Sequence, residues 1–205
     1  MHRATTVIGI AGGIGSGKSA FARALGRLGA RVFDADVSAK AVLDHGDVKA
    51  ALIQKWGPRV LGPDSRIDRQ AVASIVFADQ LARTYLESLI HPRVRAEAVE
   101  AIAGARAAGV RAVVLDVPLL FESGMDAMCD VVIFVDAAAE VRAARVASTR
   151  GWDSGELARR EAAQWPLDKK RRQSGIVVIN NGSEQSDLDA EAARAYSAAC
   201  PGTGV

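Results

Sequence analysis

Residues 6–19 read Thr6-Val7-Ile8-Gly9-Ile10-Ala11-Gly12-Gly13-Ile14-Gly15-Ser16-Gly17-Lys18-Ser19. The first six form a short β-branched and apolar run closed by glycines, the pattern of a buried strand. Gly12, Gly13, Ile14, Gly15, Ser16, Gly17, Lys18 and Ser19 then satisfy G-x-x-x-x-G-K-[ST]. A helix is expected next, with Phe21, Leu25 and Leu28 on one face and Gly29 as its stop. Between a strand and a helix such a loop cradles phosphate: glycines let successive N–H groups turn inward, and the helix N-terminus adds partial positive charge. Lys18 would reach the β- and γ-phosphates, and the Ser19 hydroxyl is a magnesium ligand. These eight residues are the candidate nucleotide site. They leave open a kinase, a GTPase or an ATP-driven machine.

Working outward, residues 31–33 form a second short strand that delivers Asp34 and Asp36 at its carboxyl end. Residues 37–109 are patterned as helix almost throughout, with breaks expected at Gly57-Pro58, at Gly62-Pro63-Asp64-Ser65 and at His91-Pro92. Residues 112–115 (AVVL), ending in Asp116, and 131–135 (VVIFV), ending in Asp136, are apolar on both faces, as strands of a covered parallel sheet are. Helices are expected over 138–149, over 154–164 and from 187 to about 199, with a last strand at 176–179 and a frayed tail over 201–205. The alternation gives an α/β fold, a five-stranded parallel sheet covered by helices. The organisation expected is one domain: a core at about 1–36, 110–142 and 174–200, a helical substrate-facing insertion at about 37–109, and a lid at about 143–173.

Composition narrows the partners. The chain of 205 residues is 49% hydrophobic and 24% charged, the balance of an ordinary globular protein. A net charge of +2, from 26 basic against 24 acidic residues, gives no reason to expect nucleic acid or a membrane surface. Two isolated cysteines, Cys129 and Cys200, suit a reducing compartment and form no metal motif. No segment reaches the ~18 uninterrupted apolar residues of a membrane span, and the apolar run from Val7 to Ala11 is too short for the core of a signal peptide and leads into a Gly-rich turn. A cytoplasmic protein is expected, and no obligatory protein partner is evident.

Several features separate the nucleotide-using classes. The guanine-reading N-K-x-D is missing where it would fall, at Ile179-Asn180-Asn181-Gly182-Ser183, and Asp116 is followed by Val117-Pro118 rather than a second acid. A small-molecule kinase fits better than a GTPase or a motor. Such an enzyme needs a carboxylate to orient or deprotonate the acceptor hydroxyl. Asp34 and Asp36 stand at the strand end, where ligands of open α/β sheets bind. Only one need be catalytic, and a helix cap is the competing role for each. Between Arg142 and Arg172 nine basic residues face four acids. Arginines of such a run can close over a transferring phosphoryl group and exclude water, although most of them individually read as a solvated helix face. His91 before Pro92 serves equally well as a helix-start residue or a phosphate contact.

With these residues in view, the chain resembles the dephospho-CoA kinases over nearly its whole length. The resemblance rests on residues 10–19, on Asp34-Ala35-Asp36, on Leu89-Ile90-His91-Pro92, on Asp116-Val117-Pro118-Leu119-Leu120-Phe121-Glu122, on Gln164, and on Val178-Ile179-Asn180-Asn181-Gly182-Ser183. It implies a P-loop kinase fold and transfer of the ATP γ-phosphoryl group, with Mg2+, to the 3′-hydroxyl of dephospho-CoA, giving CoA and ADP. By that match Lys18, Asp36 and Arg145 are catalytic, Asp36 as the base or hydroxyl-orienting group. Asp34 and Asp116 would stand near the metal and its waters, with Ser19. Residues 37–109 would be the CoA-binding region, with His91, Leu119 and Glu122 near the acceptor. Arg145, Arg150 and Arg160 would serve the lid and the ATP, and Asn181 would lie beside the adenine. The chain departs from the family pattern at Arg142, usually Gln, and at Ser174-Gly175, usually Ala-Asp. The competing readings are another P-loop kinase acting on a nucleoside monophosphate, a regulatory ATP-binding protein that transfers nothing, and an RNA-binding protein using residues 142–172.

Overall fold

A computed structural model describes residues 4–182 and 184–201. Ser183 and residues 202–205, including most of the tail expected to fray, lie outside the described residues. The chain forms two compact units, residues 1–34 with 101–205, and residues 35–100.

In the first unit the five expected strands form as β1 (Thr6–Gly12), β2 (Arg31–Asp34), β3 (Ala112–Asp116), β4 (Val131–Asp136) and β5 (Ile176–Ile179). They form one parallel sheet in the order β2-β3-β1-β4-β5. The central β1 is therefore flanked by β3 and β4, and the chain reverses its direction of winding beside it. Parallel strands covered on both faces must be apolar throughout, and all five residues of β3 are buried. On one face α1 (Lys18–Arg27) packs with α9 (Gln185–Ala199). Phe21 and Leu25 join Ile8, Ile10, Val114, Ile133, Val135, Leu188 and Tyr196 in the main core. Leu28, expected on the same face, is instead exposed, because the helix ends at Arg27 and Leu28 serves as its C-cap. Between β4 and β5 lie α6 (Ala139–Arg150), α7 (Ser154–Ala162) and the short α8 (Leu167–Arg172), which packs against β1. Asp153 caps α7 through its side chain, and Gly151 ends α6 in the left-handed region.

The second unit is built of α2 (Ala35–Val42), α3 (Gly46–Trp56), α4 (Arg69–Ala78) and the first part of α5 (Gln80–Ala107). Val42, Val48, Leu52, Val60 and Val72 are among its buried apolar side chains, and Trp56 meets Tyr85 edge-on at 5.9 Å. Asp44 holds the 62–65 turn by accepting from Ile67 N (2.8 Å) and from Arg66. The break expected at His91-Pro92 does not occur: α5 runs on through Pro92. Proline removes one intrahelical hydrogen bond and crowds the preceding turn, and here Arg93 Nη1 donates to Leu89 O at 2.6 Å across that turn. Arg93 is held in place by an ion pair to Asp47.

Candidate active site

The carboxyl ends of β1, β2 and β3 converge on the glycine-rich loop. Asp34 and Asp116 are register partners at the ends of β2 and β3, and Asp116 also pairs with Ile10 of β1. Two carboxylates thus stand side by side at the sheet edge. Asp116 is buried, and its charge acts directly on Lys18.

Lys18 is the first residue of α1, and its ammonium curls back to donate to Gly12 O (3.1 Å) and Gly13 O (2.8 Å). Burial is the main influence on it and lowers its pKa to about 8. Asp116 opposes that shift, and the positive charges of Lys170, Arg150 and Arg142 reinforce it. A desolvated ammonium beside other cations would gain from an anion placed against it. Ser19 is exposed in the first turn of α1. Gly17 holds φ +93°, and a Cβ there would lie 2.3 Å from Asn180 Nδ2. No other residue type fits that position.

Asn180, just past β5, is the residue that sequence reasoning passed over. It is buried, and its amide donates to Ser16 O at 2.8 Å. Arg145 on α6 ties the same region together, donating to Asn180 O (2.9 Å) and Gly182 O (2.7 Å). Asn181 has a different partner: its Oδ1 accepts from Ala138 N at 2.8 Å. The strand-end pair Asn180-Asn181 was visible in the sequence, but which of the two faces the loop depends on strand phase.

Two more residues escaped the reading of 142–172 as a mostly solvated basic run. Arg142 is buried against the loop and pairs with Glu161. Lys170 is 2% exposed and forms an ion pair with Glu122 Oε1 at 2.7 Å, with Gln164 Oε1 accepting at 3.0 Å. Glu122 also accepts from Trp165 N (2.9 Å). Burial alone would push the Glu122 carboxyl up, but the Lys170 and Trp165 hydrogen bonds hold it below its ordinary value. Phe121 stacks on Trp165 at 5.9 Å, and Lys169 lies over the same indole. Leu119 in this loop is exposed. A signal for Lys170 existed: it lies three residues after Leu167, on the same face of α8.

Arg150 and Arg160 flank Trp152 at 4.8 and 4.0 Å from its ring centre, and Arg160 also bonds Glu156 at 2.6 Å. In the other unit, Asp36 is exposed in the first turn of α2, and His91 is exposed on α5. No cluster of three or more histidine, cysteine or acidic side chains able to hold a metal occurs among the described residues. Asp34, Asp116 and Ser19 are nonetheless a donor set suited to a magnesium ion that arrives with nucleotide, since Mg2+ keeps waters and phosphate oxygens and needs few protein ligands.

A profile of the dephospho-CoA kinases matches residues 6–186. This chain belongs to the dephospho-CoA kinase family. Among curated relatives, the dephospho-CoA kinase of Symbiobacterium thermophilum is 42% identical over 204 residues, covering 97% of this chain and 83% of that one. The enzyme of the same name from Thermobifida fusca is 38% identical, covering 92% and 94%. Among solved structures, a Thermus thermophilus protein superposes with a TM-score of 0.80 at 33% identity, covering 98% of this chain and 100% of its own. The Campylobacter jejuni dephospho-CoA kinase, at 21% identity and a TM-score of 0.71, shares the fold. As a member of this family the chain is a kinase with a P-loop nucleotide-binding fold. Among the described residues no helix is long and apolar enough to cross a membrane.

Proposed function

We propose that this dephospho-CoA kinase family member transfers the γ-phosphoryl group of ATP to the 3′-hydroxyl of dephospho-CoA, yielding CoA and ADP. The observation that carries the reading is the Lys18 ammonium, lodged in the loop against the Gly12 and Gly13 carbonyls and acted on by the buried strand-end carboxylate of Asp116. In this reading Gly12 to Ser19 hold the phosphates, and Lys18 leaves its two carbonyls to meet them. Ser19, Asp34 and Asp116 would hold the Mg2+ that accompanies ATP, and the ion would supply neutralisation of phosphate charge.

Asp36 orients or deprotonates the acceptor hydroxyl. Arg145 is poised beside the loop to meet charge that develops on the transferring group. Residues 143–173 act as the lid, with Arg150 and Arg160 leaving Trp152 to reach phosphate when it closes. His91, Leu119 and Glu122 belong to the acceptor side, Glu122 through the loop it anchors. Asn181 borders the adenine. Residues 37–109 receive the CoA moiety, and the setting is cytoplasmic.

ADP release measured with ATP and magnesium, in the presence of dephospho-CoA, of AMP or of no acceptor, tests this. Stimulation by dephospho-CoA alone is expected. Stimulation by AMP would assign a nucleoside monophosphate kinase instead, and equal rates without acceptor would leave an ATPase.

A further inference from the structure

The loop that holds phosphate contains a tight turn. Ser16 N donates to Gly13 O at 3.2 Å, and the third residue of that turn, Gly15, has φ +78°. Negative φ at Ile14 followed by positive φ at Gly15 is a type II turn, which differs from type I by a flip of the central Ile14–Gly15 peptide. The flip decides which group of that peptide faces the loop. In a trans peptide C=O and N–H point in opposite directions, so whichever way the Ile14 carbonyl faces, the Gly15 N–H faces the other.

Arg142 contacts that carbonyl. Its Nη1 donates to Ile14 O at 3.3 Å, while its Nε donates to Ala137 O at 3.2 Å. The guanidinium lies flat along Gly13, where a Cβ would come within 3.0 Å of Nη1. Gly15 rests on the Arg142 backbone, with a Cβ there 2.7 Å from Arg142 O. Glu161 on α7 pairs with the same Nη1 and supplies the countercharge of a side chain only 10% exposed.

We propose that Arg142 is a positioning residue for phosphate binding: it draws the Ile14 carbonyl outward, so that the Gly15 N–H faces the anion, and Glu161 holds it there. The inference rests on the reading of residues 12–19 as a nucleotide-phosphate site. Arg142 touches no substrate in this account; it acts through the peptide. Losing it lets the turn relax to the other flip and replaces a donor facing phosphate by a carbonyl oxygen that repels it.

The test measures dissociation constants for ATP, ADP, adenosine and dephospho-CoA on the full chain by calorimetry, with thermal unfolding as a control. Arg142→Met is expected to weaken ATP and ADP at least tenfold and to leave adenosine and dephospho-CoA within twofold. Arg142→Gln retains a side-chain N–H donor at this position, and it should keep ATP and ADP within threefold of the parent. Unchanged ATP and ADP affinity in Arg142→Met overturns the proposal, as does an equal weakening of all four ligands. If Arg142→Met does not fold, Arg142→Gln decides alone, and a loss beyond threefold overturns the proposal. Failure of the unaltered chain to bind ATP would instead refute the nucleotide reading itself.

Discussion

Replacing Lys170 by methionine removes one partner of a buried ion pair and leaves the other in place. Lys170 has a side-chain exposure of 3% and Glu122 of 17%, and Glu122 Oε2 already has no hydrogen-bond partner. Deleting one member of such a pair costs about 3–5 kcal/mol, because an uncompensated charge stays buried. Glu122 keeps the Trp165 N–H, which places the expected loss near the lower end, about 3 kcal/mol. At about 2.1 cal/mol/K per residue, a chain of 205 residues should lose about 7 °C in Tm. A solvated lysine of the same run would change stability by no more than about 0.5 kcal/mol.

The pH dependence has a definite sign. The Glu122 pKa is lowered in the folded chain, so its stabilising contribution is present above its ordinary value of 4.5 and fades as pH falls through the folded value. In Lys170→Met the carboxylate is unpaired, and protonation relieves it. The gap in Tm between parent and variant should therefore be widest at pH 7–8 and narrow toward pH 4.5. Adding Glu122→Gln to the variant should recover at least half of the loss at neutral pH. Scanning calorimetry of the three proteins across pH measures this. A fall below 2 °C, a gap independent of pH, or a double variant no more stable than Lys170→Met would refute the assignment of a buried, charged pair.

Lys18→Ala should lower turnover by orders of magnitude in the ADP-release assay, because charge stabilisation of the transferring group is lost; near-normal turnover would remove the role assigned to it. Because burial and neighbouring cations bring the Lys18 pKa to about 8, ATP affinity in the parent should hold below pH 8 and fall by up to about tenfold per pH unit above it, a decline that calorimetry should find missing in Lys18→Ala. Asp36→Asn should reduce kcat far more than ATP affinity, and parallel losses in steady-state kinetics and binding would make the residue structural.

The central strands β1, β3 and β4 were legible because parallel strands buried on both faces leave continuous apolar runs, while β2 and β5, at the margins of the sheet, are more exposed. The phosphate loop was legible for a different reason: its glycines and lysine sit at fixed spacing between a strand and a helix. What escaped was decided by tertiary contact. A charged side chain looks the same in sequence whether it faces water or a buried partner, so Arg142 was indistinguishable from Arg159 and Arg172, which are exposed, and only its spacing from Leu167 set Lys170 apart. Continuity of α5 through Pro92 was invisible for a related reason, since local propensity says the turn should break. The roles of Asp34 and Asp36 could not be separated from spacing alone. Register gives Asp34 a strand-end partner in Asp116, whereas Asp36 belongs to the first turn of a helix.

The distribution of charge around the loop carries the last step. Lys18, Arg142, Arg145 and Lys170 are brought to one end of β1 by three different helices, and each is tied down without a substrate: Lys18 and Arg145 by backbone carbonyls, Arg142 by Glu161 and Lys170 by Glu122. Gathering cations in a poorly solvated pocket is unfavourable, and the depressed Lys18 pKa is a direct expression of that cost. The two carboxylate-held cations are neutralised in place and can stay where they are when a polyphosphate arrives. The two held by neutral carbonyls are not, and they gain most from an anion. In the proposed reaction the charges that would act on phosphate are therefore Lys18 and Arg145, while Arg142 and Lys170 would set the shape of the loop and of its surroundings.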